Sequence, residues 1–125
     1  MTTITSRAEF QRMRTDEQAV LFTFFAWSGQ AVVSLRVFEE WRLEWLTVHP
    51  EAVVPFYRLD PDTHPDTWSW LTEQARSEHD NDRGFGAVTW LRRGTSVAFV
   101  RHAAEVGKQE LSRLTDEHFG FTHGA

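Results

Sequence analysis

The sequence contains no cysteine among its 125 residues. The chain therefore has no means of forming a disulfide, supplying a thiolate nucleophile or binding zinc through sulfur. A missing disulfide framework also removes the usual mark of a secreted domain. We therefore expect a cytoplasmic protein whose function does not depend on thiol chemistry.

Basic residues and long apolar runs are also scarce. Lysine and arginine number 13 against 18 aspartates and glutamates, which gives a formal net charge of −5. Surfaces that bind phosphate backbones are built from clustered Lys and Arg, so we expect no nucleic-acid partner. No segment approaches the roughly 18 consecutive apolar residues of a membrane span, and the first residues lack a signal-peptide pattern. We therefore expect no membrane partner.

Aromatic residues are abundant by contrast, with six Trp and ten Phe. A chain of this length predicts a single domain over residues 1–125, with a core at about 6–119 and a loose tail at 120–125. Such a domain buries roughly two thirds of its unfolded surface, so its core need not hold every aromatic ring. We expect some of them to line a surface groove.

Hydrophobic periodicity predicts a mixture of helices and strands. The predicted helices cover about residues 6–15, 30–47, 66–76 and 107–119, and the predicted strands cover residues 19–25, 53–59, 87–91 and 96–101. The alternating first half requires parallel pairing through right-handed crossovers, and the last two strands form a hairpin. The charged stretch 77–84 lacks periodicity and is predicted to be a loop.

The most informative stretch is residues 19–41. A seven-residue apolar strand runs through the corner Trp27-Ser28-Gly29-Gln30 into a long amphipathic helix. A helix N-terminus has unpaired N–H groups and a partial positive charge, so side chains at this corner lie in an activating field. The apolar stripe predicted to face the core consists of Val33, Val37, Phe38, Trp41, Trp45 and Leu46.

This corner resembles the Trp-Cys-Gly-Pro-Cys motif of the thioredoxin family, with Trp27 and Gly29 at the matching positions. The pair Glu39-Glu40, the pair Leu59-Asp60 and the segment 86–103 are also similar to that family. The resemblance covers about residues 6–119. It implies an α/β fold with a central mixed sheet of about four strands flanked by about four helices.

The departures from the family pattern concern its chemistry. The two cysteines of the family correspond here to Ser28 and Ala31, and its buried acid and the lysine that pairs with it correspond to Phe22 and Phe56. The cis-proline of the family corresponds to Gly86, and its helix-kinking proline corresponds to Arg36. The serine hydroxyl is far too weakly acidic to replace a thiolate. We therefore predict a redox-inactive, non-catalytic domain that acts as a protein-binding or peptide-binding adaptor, without a cofactor.

The resemblance also predicts where a partner would bind, since three loops would converge at one edge: residues 27–30, 85–86 and 101–103. The predicted binding residues are Trp27, Ser28, Gly29, Gln30, Phe85, Gly86, His102 and Trp70. Trp27 and Phe85 would form an apolar floor, and Gly86 would leave its backbone able to pair with a peptide. Trp70 lies off the apolar stripe of its helix and is predicted to be partly exposed.

Two alternatives remain open. The first is a non-thiol enzyme with Ser28 as nucleophile and His102 as base, although no G-x-S-x-G elbow and no partner acid is identified. The second is a homo-oligomeric structural or stress-associated protein, such as a homodimer, with Trp70 or the strand edges as self-contacts. The acidic stretch 79–82 and His64 match no metal-binding template, so no metal site is predicted.

Overall fold

The computed structural model describes the backbone of residues 1–74 and 80–121 and the side chains of residues 1–72 and 83–121. The elements in chain order are β1 (Thr2–Thr3), α1 (Arg7–Thr15), β2 (Gln18–Thr23), α2 (Gly29–Val48), β3 (Phe56–Leu59), α3 (Pro65–Gln74), a 3-10 helix (Asp80–Phe85), β4 (Ala87–Arg92), β5 (Thr95–Val100) and α4 (Ala103–Phe119). No helix in these ranges is long and apolar enough to cross a membrane.

The strands form one mixed sheet in the order β1-β3-β2-β4-β5. Strand β3 pairs in parallel with both β1 and β2, whereas β2–β4 and β4–β5 are antiparallel pairs. The apolar strand β2 therefore lies at the centre, where both of its faces are covered, as its continuous apolar run predicts. The predicted α/β architecture is confirmed.

Apolar side chains pack on both faces of the sheet. Along β2, Val20 and Phe22 belong to the cluster beneath α2 and α4, whereas Ala19 and Leu21 belong to the cluster beneath α1 and α3. This division follows from the two-residue period of a strand, which sends successive side chains to opposite faces.

Buried tryptophans hold α4 to its neighbours. Each of three indole N–H groups donates to a polar side chain of that helix, so the aromatic bulk is buried without an unpaired donor. The pairs are Trp41 with Ser112 (2.9 Å), Trp45 with Asp116 (3.0 Å) and Trp90 with Thr115 (2.8 Å).

Several boundaries differ from the predicted ones. Strand β3 begins at Phe56 rather than residue 53, because Pro55 has no N–H for the ladder and only its carbonyl pairs, with the Val20 N–H at 3.1 Å. Helix α4 begins at Ala103, four residues early, and its first turn is separated from the rest by Gly107, whose φ of +82° and ψ of 168° are not helical.

The sheet also contains one more strand than the approximate four. Strand β1 comprises only Thr2 and Thr3, which pair with Tyr57 and Arg58. In the stretch predicted to be a loop, Asp80–Phe85 form a 3-10 helix. Residues 75–79 and 122–125, which include the rest of that loop and most of the predicted tail, lie outside the described residues.

Candidate functional site

The corner between β2 and α2 contains Ser28, which caps the N-terminus of the helix. Ser28 has an extended backbone, with φ −96° and ψ 115°, and its Oγ accepts a hydrogen bond from the Ala31 N–H at 3.2 Å. This is the standard role of serine at the position before a helix, where it satisfies one of the unpaired N–H groups. Only 8% of Ser28 is exposed.

Trp27 projects from this corner into solvent, with 71% of its surface exposed. Its ring contacts Phe25, with 5.6 Å between the ring centroids. It also covers Gly84, where a Cβ would lie only 3.3 Å from the indole. The ring is therefore held in place on one side while most of its apolar surface remains in water.

Beside Trp27 lies a groove of about 740 Å³ between the start of α2 and the first turn of α4. Residues 27–30 and Val33 form the wall on the α2 side, and His102, Ala104 and Glu105 form the other. Val33 was predicted to face the core, but it is 50% exposed, and Ser34 is the buried residue instead. The predicted residues Trp27, Ser28, Gly29, Gln30 and His102 thus come together.

Gly86 lies behind the groove rather than in its wall. It is buried at a φ of +93°, and a Cβ at this position would lie 2.3 Å from the Cβ of Ser34. Its carbonyl accepts from the Ala103 N–H at 3.1 Å, and its N–H faces the Arg83 carbonyl at 3.4 Å. Its backbone is therefore already used within the fold, which corrects the expectation that it could pair with a peptide.

Phe85 is half-buried between the groove and the β4–β5 hairpin. Its ring lies 5.3 Å from the Arg101 guanidinium and 6.2 Å from the ring of His102. The preceding Arg83 is buried and donates to Thr89 Oγ1 at 2.7 Å, which ties this loop to the sheet. Phe85 therefore positions His102 and does not itself line the groove.

Ser28 and His102 both lie at the groove, but each is engaged elsewhere. The Ser28 Oγ caps α2, and His102 Nδ1 lies 3.3 Å from Glu105 Oε2. Among the described residues no hydrogen bond joins Ser28 to His102. A serine nucleophile needs a base within hydrogen-bond reach, so the arrangement of a hydrolase is not assembled here.

Trp70 lies away from this groove, on α3. It is partly exposed, as predicted, and its ring packs 6.1 Å from Phe10 in the cluster beneath α1 and α3. It therefore belongs to the opposite face of the sheet from α2 and α4. In the described part of the chain no group of three or more His, Asp or Glu side chains could hold a metal ion, and His79 lies outside that part.

The groove residues that sequence reasoning missed are Val33, Ala104 and Glu105. Val33 continues the apolar spacing of α2 and so resembles a core residue in the sequence. Ala104 and Glu105 precede Gly107, at which the predicted helix began. The sequence feature that could have indicated Ala104 and Glu105 is the position of His102-Ala103. This pair follows shortly after strand β5 and leaves enough residues for one helical turn before Gly107.

Comparisons with known proteins place this geometry in a known fold. No protein-family model and no curated protein matches the sequence. Among solved structures, thioredoxin from Trypanosoma brucei brucei has a TM-score of 0.68 at 16% identity, over 96% of this chain and 91% of that one. Oxidised thioredoxin from Plasmodium falciparum has a TM-score of 0.63 at 19% identity, over 94% and 97% of the two chains.

A larger protein contains the same fold as one part. The zinc-bound form of human ERp44 has a TM-score of 0.68 at 17% identity, over 93% of this chain but only 30% of that one. The chain described here therefore has the thioredoxin fold, as its sequence predicts. It has this fold without a cysteine, so it has no thiol of its own for disulfide exchange.

Proposed function

We propose that this chain is a redox-inactive thioredoxin-fold binding module, cytoplasmic in location, that accepts a protein or peptide segment in the groove beside Trp27. The observation that carries the proposal is the 71% exposure of Trp27 at the edge of a groove of about 740 Å³. Tryptophan is among the residues that most often contribute the largest share of binding energy at protein interfaces.

The composition of the groove supports a peptide rather than a charged small molecule. Trp27, Val33 and Ala104 supply apolar surface, and Gln30 and Glu105 lie exposed at its border. An apolar centre with a polar border is the usual anatomy of a protein interface. The volume lies in the range of roughly 300–1,000 Å³ that is typical of binding sites, which is enough for one or two side chains of a peptide.

The chemistry of the corner supports a role without catalysis. The serine that replaces a cysteine of the family motif is used as a helix cap, through its 3.2 Å hydrogen bond with Ala31. The other polar pair at the groove consists of His102 and Glu105, whose Nδ1 and Oε2 atoms lie 3.3 Å apart, and among the described residues no hydrogen bond joins either of them to Ser28. A serine nucleophile needs such a base within hydrogen-bond reach.

The test is a selection of displayed random peptides against the folded protein, followed by fluorescence anisotropy titration of the selected peptides. We expect peptides with an aromatic or aliphatic anchor, and at least about tenfold weaker binding to Trp27→Ala. Val53→Ala is the matched control, because Val53 is 88% exposed but follows the far end of the 20-residue helix α2, about 30 Å away.

The outcomes separate the proposal from its alternatives. Peptides that bind wild type and Trp27→Ala equally would place binding elsewhere and overturn the proposal. Enrichment of no peptide, together with a dimer in light scattering that Trp27→Ala abolishes, would instead identify a second copy of the chain as the occupant.

A further inference from the structure

A second cavity, of about 300 Å³, opens at the opposite end of the sheet from the groove. It lies where β3 begins, and Val54, Pro55 and Phe56 form one wall. Helix α1 contributes Arg12, and helix α2 contributes Arg42. Because these helices cover opposite faces of the sheet, the cavity receives a guanidinium group from each face.

Arg42 lines this cavity and has one donor nitrogen without a partner beside it. Its side chain is only 17% exposed, and one nitrogen, Nη2, binds Glu39 Oε2 at 3.0 Å. The guanidinium carbon lies 5.9 Å from the centre of the Phe56 ring, which holds the group in place. Its Nε is buried and has no hydrogen-bond partner among the described residues. A buried, charged N–H without an acceptor is unfavourable, so this group calls for a ligand or ordered water.

Arg12 supplies a second guanidinium. It is exposed on α1, and no ion pair joins it to another residue within the described ranges. Guanidinium groups bind carboxylates and phosphates in planar, paired geometry and hold them better than a lysine ammonium does. Two such groups at one cavity therefore favour an oxyanion.

The carboxylates of the same cavity are already occupied by donors of the protein. Glu9 Oε1 accepts from the Thr5 N–H at 2.8 Å and from the Thr5 hydroxyl at 2.9 Å. Asp16 Oδ2 accepts from the Tyr57 hydroxyl at 2.5 Å. Among the described residues, neither carboxylate accepts a hydrogen bond from Arg12 or Arg42, so an added acceptor would complete the hydrogen bonding of the arginines.

We propose that this cavity binds a small organic anion whose carboxylate or phosphate oxygens accept from the guanidinium groups of Arg42 and Arg12. The apolar body of the ligand lies against residues 54–56. This site is independent of the groove beside Trp27, because it is formed at the other end of β2 and β3 and shares no lining residue with it.

The experiment is a titration of the 15N-labelled chain, followed through the Arg side-chain Nε–Hε signals, with sodium benzoate and inorganic phosphate as probes at constant ionic strength. We expect a saturable shift of the Arg42 signal at up to about 10 mM of at least one anion. Benzoate alone would identify a carboxylate site and phosphate alone a phosphate site. Neutral benzamide, which keeps the ring but lacks the charge, should leave the signal unmoved.

The variants test which arginines are responsible. Arg12→Gln and Arg42→Gln should each weaken binding at least about fivefold, whereas Arg36→Gln, an exposed arginine of the same helix as Arg42, should not. If Arg42→Gln fails to fold, Arg12→Gln and the wild-type Arg42 signal still decide the question. No saturable shift with either anion, or equal weakening by Arg36→Gln, would overturn the proposal.

Discussion

The indole N–H of Trp45 donates a 3.0 Å hydrogen bond to Asp116 Oδ1, and both residues are buried. His49 Nε2 lies 3.3 Å from the same oxygen, and its ring packs against that of Trp45 at a tilt of 39°, with 4.6 Å between the centroids. One carboxylate of α4 thereby fixes the last turn of α2. The long helix that presents the groove at its first turn is thus anchored at its last.

Removing that carboxylate should destabilise the fold. We expect Asp116→Ala to lower the free energy of unfolding by about 2–4 kcal/mol, because the buried Trp45 donor loses its acceptor and His49 its partner. Urea unfolding measures the change. Glu117→Ala is the control, since the neighbouring Glu117 is exposed and pairs only at the surface with Arg113. Equal midpoints for the two variants would contradict the prediction.

Gly86 and Gly29 should respond oppositely to alanine. At Gly86 the new Cβ would collide with Ser34, and the positive φ is itself strained for alanine, so we expect a loss of about 2–5 kcal/mol. At Gly29 no atom of the described residues lies within 4 Å of the new Cβ, and alanine favours the helix, so stability should stay equal or rise by up to about 1 kcal/mol. Thermal unfolding of the two variants is the measurement. A Gly86→Ala variant as stable as wild type would show that Gly86 is not closely packed against Ser34.

Ser28 should matter for stability as a cap. Ser28→Ala should cost about 1 kcal/mol, because the Ala31 N–H loses its acceptor. Ser28→Asp should recover most of that loss, since an aspartate both caps the helix and interacts favourably with its N-terminal charge. Denaturant unfolding of the three proteins is the measurement. A Ser28→Asp variant as unstable as Ser28→Ala would argue against the capping role.

The single tyrosine of the chain offers a pH test. Burial raises the pKa of Tyr57 to about 12, helped by the hydrogen bond to Asp16 and its charge. Because the folded pKa exceeds the ordinary value of about 10, Tyr57 contributes stability that is complete below pH 10 and is lost as the pH rises towards 12. An ultraviolet titration of tyrosinate should give a midpoint near 12, and Asp16→Asn should lower it.

The matched comparison is Tyr57→Phe, which removes the titrating hydroxyl. Its unfolding free energy should fall less steeply than that of wild type between pH 10 and 12. A tyrosinate midpoint near the ordinary value of about 10 in the folded wild type would show that the hydroxyl is neither buried nor bound to Asp16.

The centre of the fold could be predicted from the sequence alone. Residues 19–22 form an unbroken apolar run, which is typical of a strand covered on both faces, and Ser28 is a residue type that begins helices. Both features depend on local chemistry, so they could be predicted without the rest of the chain. The corner that they define is where the groove lies.

The remaining features depend on distant parts of the chain. Strand β1 is only two residues long and has no pattern of its own; it exists because Thr2 and Thr3 meet the exposed edge of β3. Val33 has the spacing of a core residue, but it is 50% exposed in the wall of the groove. Likewise, the burial of Gly86 follows from its contact with Ser34, which lies on another element. Contacts between distant parts of the chain produce no recognisable pattern in the sequence around each residue.

The break at Gly107 divides α4 into two parts with separate tasks. Ala104 and Glu105, in the short part before the break, border the groove, whereas the longer part beyond carries the partners of the three buried tryptophans. Among the described residues, no atom lies within 4 Å of the position that a Cβ of Gly107 would take, so no other element packs closely against this junction. A combinatorial library at positions 104–106 should therefore yield altered ligand preference at nearly constant melting temperature, which makes this short turn the natural starting point for engineering.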